Sequence, residues 1–320
     1  MAQLLTAQAL NSRLKIKHLE LFRNVCTLRT LRKAADASAM TQPAATKLIK
    51  EMEDMLGKLL FVRDRRGMTP TLYGQAVLHH ANILLADVGN MRQEVELLAQ
   101  GATGLIRLGV VPSLSPQLLT NVIAQTLKAA PGIRFTLREG STSQLLRELT
   151  ANDIDLAFAR LLDADALRDL SVLDVYAESF AVVCSAEHAL TQKRRVSWKD
   201  LAKAQWLLPT AGTPLRELVD DQFRREKVLA PPATVEHGSF EKIQYLIAGT
   251  ELVGLLPVSM ADAAQGRGML RIIGPSLTGF GPISLVRRKA VEAPPVVTLF
   301  TNVVREQIGQ LSRPTQQRLD

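Results

Sequence analysis

The sequence predicts a chain in two parts: a small, basic, mostly helical module with a short β wing, joined by one long helix to an α/β body. Three observations carry that expectation. Lys and Arg exceed Asp and Glu by eight over 320 residues, and positions 1–75 hold thirteen bases against six acids, so seven of the eight excess charges lie in the first quarter. Positions 74–100 run as one helical period without proline. From Gly101-Ala102-Thr103-Gly104 onward, short β-rich runs alternate with amphipathic stretches, the pattern of parallel sheets covered by helices.

Length and composition exclude several classes. A chain of 320 residues, 47% apolar, buries core enough for more than one domain, which rules out a disordered chain or a small disulfide-stapled scaffold. Charge confined to one segment points to a polyanion, with nucleic acid ahead of an anionic membrane. Cys26 and Cys184 lie far apart, in apolar contexts and outside any CxxC pattern, so free thiols in a reducing cytoplasm are expected. No window approaches the roughly 18 apolar residues of a membrane helix. Leu4-Leu5 lacks the flanks of a signal peptide, and a cytoplasmic protein is expected.

In the basic module, Thr30 can cap a short helix running to Ala39, and the small Ala34, Ala35 and Ala37 let a second helix approach closely. Thr41 or Gln42 then caps the next helix, with Pro43 in its first turn, where a missing N–H costs nothing. Two short helices joined by a tight turn make a helix-turn-helix. On the second helix Ala45, Leu48, Ile49, Met52 and Leu56 share the packing face, while Gln42, Thr46, Lys47 and Lys50 share another. That polar face offers an amide, a hydroxyl and two ammonium groups, the donors that base and phosphate readout use. The alternative is a solvated face with Lys47–Glu51 and Lys50–Asp54 pairs, each worth about 0.2–0.5 kcal/mol. Bases toward the helix start and acids toward its end oppose the macrodipole by a similar amount. The turn pattern and the regional charge tip the reading toward DNA. Next, Phe61 to Thr71 holds two β-prone runs around Arg65-Arg66-Gly67, as in a wing on the sugar-phosphate backbone.

The long helix has the cleanest period in the chain. Val77, Ala81, Leu84, Val88, Met91, Val95 and Leu98 alternate at spacings of four and three, an a/d seam over three heptads. So narrow a stripe needs another helix to cover it, either from its own body or from a second copy; self-association is the better match. Two-fold pairing would hold two basic modules at a fixed separation.

In the body, strands are expected at 105–111, 133–138, 154–159, 180–185, 206–208, 252–256 and 283–286, and helices near 116–129, 142–152, 214–227, 239–248 and 295–311.

Taken together, His18-Leu19-Glu20-Leu21-Phe22, Ala34-Ala35, Thr41-Gln42-Pro43-Ala44-Ala45-Thr46-Lys47, the run from Glu53 to Arg63, and Thr69-Pro70-Thr71-Leu72-Tyr73-Gly74 resemble the winged helix-turn-helix of the LysR-type transcriptional regulators. The wording around Thr41-Gln42-Pro43-Ala44 and Arg66 to Thr71 is similar to the subgroup of the galactose-binding-protein regulator. Arg29 departs from the pattern, which often has Gly there, and the first dozen residues exceed the usual start. The resemblance implies a DNA-binding domain at 15–73 and a linker and dimerisation helix at 74–102. It further implies an effector-binding domain at 103–313, like a periplasmic binding protein, with subdomain I at 103–174 and 281–313 and subdomain II at 175–280.

It implies, too, a homodimer or homotetramer on an interrupted inverted repeat in double-stranded promoter DNA, with RNA polymerase as a candidate further partner. Gln42, Pro43, Thr46 and Lys47 are then the major-groove candidates, with Thr41 beside them in the DNA-binding set and Arg29, Arg32, Lys50, Arg63, Arg65 and Arg66 on phosphates. In open α/β sheets ligands collect at the carboxyl ends of strands. That rule selects Ser113 and Ser115, the 141–143 segment, Arg160, the 209–213 segment with Thr210 and Thr213, and Pro257. Ser113, Thr142 and Arg160 match positions that line the effector pocket in related regulators, and Ser239 at a helix start can join them. The hydroxyls can equally serve as helix caps, and Arg160 can pair with Asp163 or Asp165. Facing the cleft, its fixed fork would suit a carboxylate, so the expected effector is a carboxylate or a sugar-like compound.

No enzyme, metal or cofactor is expected. The five histidines form no HExxH or HxH set, no GxxxxGK or GxSxG motif occurs, and Gly266-Arg267-Gly268 lacks the third glycine of a dinucleotide fingerprint. The competing expectation is a ligand-binding or enzymatic body carrying a nonspecific basic segment.

Overall fold

The computed structural model describes residues 7–64, 67–161, 170–238, 240–289 and 293–311. The chain's main division falls between Gln100 and Gly101.

The N-terminal unit begins with α1 (Ala7–Arg13), α2 (Ile16–Leu28), α3 (Leu31–Ala37) and α4 (Gln42–Leu56). Its core is built from Leu21, Phe22, Val25, Ala34, Ala45, Ile49 and Met52, all fully buried. On α4 the buried face closes with Met55, whereas the expected Leu56 is only partly covered. Both turns that set the helices use left-handed backbone at non-glycine residues, Arg29 (φ 58°) after α2 and Ala39 (φ 53°) before α4. Each costs about 1–2 kcal/mol, and the buried alanine contacts of α3 hold them in place.

The wing is the antiparallel hairpin β1 (Phe61–Asp64) and β2 (Gly67–Pro70). Met68 N–H donates to the Arg29 carbonyl at 2.8 Å, fastening the wing to the turn after α2. Gly67 sits at φ 118°, and a Cβ there would lie 2.3 Å from that carbonyl oxygen, so only glycine fits.

The long helix α5 (Leu72–Ala99) starts two residues before the expected boundary because Thr71 caps it, accepting from Gly74 N–H at 3.1 Å. Its 28 residues span about 42 Å. The expected seven-residue seam divides in the fold. Ala81 is fully buried and Val77 partly buried in the unit's own core, since the first turns of α5 cover α2. Leu84, Val88, Met91, Val95 and Leu98 remain between 39% and 61% exposed.

The second unit holds two five-stranded sheets. The first comprises β3 (Gly104–Val110), β4 (Ile133–Glu139), β5 (Leu156–Arg160), β6 (Leu170–Ala177) and β12 (Pro282–Arg288), in the order β4-β3-β5-β12-β6. It is flanked by α6 (Pro116–Ala129), α7 (Thr142–Thr150) and α12 (Pro295–Leu311). The second comprises β7 (Phe180–Ser185), β8 (Gln205–Pro209), β9 (Ala233–His237), β10 (Leu252–Pro257) and β11 (Leu270–Ile272), in the order β11-β7-β10-β8-β9. Its helices are α8 (Trp198–Leu201), α9 (Pro214–Arg225), α10 (Phe240–Ala248) and α11 (Val258–Gly266).

Neither sheet is purely parallel, contrary to expectation. β12 runs against β5 and β6, and β7 runs against β10 and β11. A parallel neighbour needs a crossover helix, and the strands by which the chain passes between lobes have none. The passage itself is the pair Glu178–Ser179, so the handover expected near 174 falls inside β6. The edge strands β6, β9 and β11 have no counterpart among the expected runs, being short or largely open on one face.

Phe158 and Phe300 meet edge to face at 6.2 Å in the first lobe, as do Trp198 and Phe223 at 4.9 Å in the second. Cys26 is half-buried and Cys184 buried; both are free, and burial pushes each thiol up to about 11. Among the described residues no helix is long and apolar enough to cross a membrane.

Candidate DNA interface and effector cleft

On α4 the side chains of Gln42, Pro43, Thr46, Lys47 and Lys50 are exposed, opposite the buried Ala45, Ile49 and Met52. Thr41 and Thr30 stand at the cap positions of α4 and α3 with extended backbone, but neither hydroxyl makes a capping bond. Capping by these side chains was the expectation; instead α4 starts uncapped at the exposed Gln42, Pro43 and Ala44, where the helix dipole favours an anion. Thr46 donates its hydroxyl to the Gln42 carbonyl at 2.9 Å.

The acids at the far end are not idle. Glu51 meets His18 Nε2 at 3.2 Å and Lys47 at 4.0 Å, and Glu53 accepts the Leu60 N–H at 2.9 Å, tying α4 to the wing. Arg29, Arg32 and Arg63 are exposed, while Arg65 and Arg66 lie outside the described residues.

In the second unit, Arg160 is the centre of a buried cluster and is itself only 5% exposed. Its backbone N–H donates to Thr142 Oγ1 at 3.3 Å. Nη1 donates to the carbonyls of Phe280 at 3.1 Å and Gly281 at 2.5 Å, and Nη2 to Ser113 Oγ at 3.4 Å. The guanidinium also stacks 4.5 Å over the Phe280 ring and 5.8 Å from Phe180. Burial pulls its pKa down, and the nearby Glu178 carboxylate holds it up. Asp163 and Asp165, its expected alternative partners, lie outside the described residues.

Glu178 and Tyr176 complete the cluster and were missed in the sequence. Tyr176 accepts the Ser115 N–H at 2.9 Å and donates to Glu178. Burial raises the pKa of both; the Tyr176 hydrogen bond and the Arg160 charge oppose that rise at Glu178. Glu178 Oε2 is buried with no hydrogen-bond partner among the described residues.

Beside this cluster is a cavity of about 210 Å³ between the two lobes, lined by Ser113, Phe180, Thr213, His237, Phe240 and Phe280 among others. Phe180 meets Phe280 edge to face at 5.4 Å, and His237 meets Phe240 at 5.8 Å. Among the described residues no acidic or basic side chain other than His237 lines it. Of the expected residues, Ser113 and Thr213 reach the cavity. Thr142 and Arg160 stand behind its wall. Ser115 Oγ caps α6, accepting from Leu118 at 3.4 Å, and Thr210 donates to the His237 carbonyl at 3.1 Å. Thr213 also caps α9 at 3.4 Å. Ser239 lies outside the described residues. A second gap of about 320 Å³ lies beyond the 111–115 loop, lined by Leu114, Leu119, Met260 and Arg267 among others. The aromatic residues carried no sequence signal, because Phe180, Phe240 and Phe280 lie far apart in the chain and converge only in the folded core of the second lobe.

Comparison with known proteins follows the same division. Residues 16–75 match the bacterial regulatory helix-turn-helix protein family of lysR type, and residues 99–309 match the LysR substrate binding domain. The chain is 27% identical over 306 residues to the transcriptional regulator PcaQ of Agrobacterium fabrum, covering 94% of this chain and 97% of that one. It is 29% identical over 265 residues to the regulator GbpR of Azospirillum brasilense, covering 82% and 78%. Among solved structures, full-length CbnR complexed with its target DNA aligns at a TM-score of 0.62 with 20% identity over 92% of this chain and 99% of that one. A full-length OxyR variant from Pseudomonas aeruginosa aligns at 0.60 with 22% identity over 91% and 95%.

Proposed function

Because the chain belongs to the LysR family of transcriptional regulators, a DNA-binding module joined to an effector-binding domain and not an enzyme, we propose how its own residues divide that work. Gln42, Pro43, Thr46 and Lys47, following Thr41, read the major groove, and Lys50, Arg29, Arg32, Arg63, Arg65 and Arg66 hold phosphates. The observation that carries this is the exposed row on α4 directly opposite its fully buried face. DNA binding belongs to 15–73, coupling to the helix at 74–102, and sensing to 103–313, with the handover between lobes at Glu178–Ser179.

The exposed half of α5, from Leu84 to Leu98, pairs two copies, and the pair binds an interrupted inverted repeat in the cytoplasm, where RNA polymerase is the further partner. Dimers can pair again into a tetramer. A gel shift on the chain's own neighbouring promoter tests the recognition helix: Thr46→Ala or Lys47→Ala should lower affinity for the operator, and unchanged affinity and specificity would overturn the assignment.

The small-molecule effector sits in the cavity beside Ser113. Its aromatic walls favour a planar, weakly polar ring compound over a sugar, which would find few hydroxyl partners there. A carboxylate fares worse at Arg160 than the sequence implied, since the guanidinium already donates to Phe280, Gly281 and Ser113. Thermal shift against single-ring phenols, aromatic acids, aliphatic acids and sugars orders these classes, and stabilisation by sugars alone would reverse the ranking.

A further inference from the structure

α1 precedes the span that matches the helix-turn-helix family, which starts at residue 16. It is nevertheless anchored: Leu10 and Leu14 pack against the core of the N-terminal unit. That anchoring sets the α1–α2 junction along one side of α4. Between them runs an open groove of about 670 Å³, lined by Arg13, Lys15 and Lys17 from the α1–α2 junction and by Lys47, Glu51 and Asp54 from α4.

We propose that this groove is a second track for the DNA backbone, in which Arg13, Lys15 and Lys17 hold phosphates flanking the site that α4 reads. Three cations of the α1–α2 junction face Lys47, Glu51 and Asp54 of α4, and Glu51 is already engaged by His18 and Lys47. Arg13, Lys15 and Lys17 are exposed and make no ion pair among the described residues. Lys47 belongs both to this groove and to the exposed row of α4, so the two surfaces are continuous on the N-terminal unit.

The character of the groove selects a polyanionic strand over a small anion. Its cations are solvated ammonium and guanidinium groups on long stems, which follow a line of charge and do not form a fixed cage. A duplex supplies such a line, one phosphate about every 3.4 Å along each strand.

The test uses the full chain with R13A/K15A/K17A, all at exposed positions. Operator affinity is measured by fluorescence anisotropy across a KCl series, against both the operator and a scrambled duplex. Each lost phosphate contact lowers the slope of log affinity on log salt by ~0.9. A drop of ~2.7 per engaged protomer is expected, so raising KCl from ~50 to ~200 mM should cost the variant about 40-fold less affinity than the parent. The operator-to-scrambled ratio should stay unchanged, and R13K/K15R/K17R should restore the slope. An unchanged slope in the alanine variant with an unchanged melting temperature would overturn the proposal. So would a collapse of the operator-to-scrambled ratio, which would place these residues in base recognition, or retention of anionic vesicles by the parent in preference to DNA.

Discussion

Arg160 and Phe280 are locked together twice, the guanidinium 4.5 Å over the ring and its Nη1 3.1 Å from the same residue's carbonyl oxygen. Phe280 precedes β12, the strand that returns the chain to the first lobe, whereas Arg160 ends β5 beside it. The pair therefore fixes a returning segment of chain to the sheet that carries Ser113.

Arg160→Ala should accordingly act on stability as well as response. It strips partners from the half-buried Phe280 and Gly281 carbonyls, a loss of about 1–3 kcal/mol. Urea denaturation of the effector domain should show it. DNA affinity without effector should hold, since the N-terminal unit has its own core, and an unaltered effector response would show that the cavity does not depend on this wall.

Glu178 gives a pH signature. Burial raises its folded pKa above the ordinary value of 4.5, so the folded state keeps its proton longer than the unfolded one as pH rises. Stability from this group is fully present below 4.5 and is lost as pH climbs through the raised value. Glu178→Gln, which can still accept from Tyr176, should flatten that decline. Urea midpoints measured from about pH 4 to 8 should converge at the acid end and separate, with the variant higher, toward neutrality. Parallel curves would assign the slope to another group.

The turn before α4 carries an avoidable cost. Ala39 sits at φ 53°, where glycine has no Cβ penalty. Ala39→Gly should raise stability by about 0.5–1 kcal/mol after the entropy of the unfolded chain is counted. Gly67→Ala should do the reverse, by more than about 2 kcal/mol, since its Cβ would collide with the Arg29 carbonyl. Thermal melts of the two variants should move in opposite directions.

Along α5 two substitutions should separate folding from association. Val95→Glu, at an exposed position, should weaken dimerisation in sedimentation equilibrium and leave the melting of the isolated protomer unchanged. Ala81→Leu, at a fully buried position, should destabilise the N-terminal unit by about 1–3 kcal/mol through overpacking. Equal association of Val95→Glu and parent would remove the exposed half of the seam from the interface.

The sequence by itself determined what depends on near neighbours. Three- and four-residue spacing separated Ala45, Ile49 and Met52 from Thr46, Lys47 and Lys50 on α4, and the run of β-rich stretches located seven strands of the second unit. Charge placement and the Thr41 to Lys47 wording were enough to single out the DNA-binding module. Tertiary structure alone decided the rest. An a/d period cannot say which body covers it, and Val77 and Ala81 turned inward because α2 lies against the start of α5. A strand's direction depends on what connects it, so the reversed β7 and β12 followed from passages between lobes that local pattern does not encode. Arg160 was legible as a polar residue at a strand end. Its partners Phe280 and Gly281 stand 120 and 121 positions away, and only the fold brings those carbonyls and the Glu178 charge to its fork.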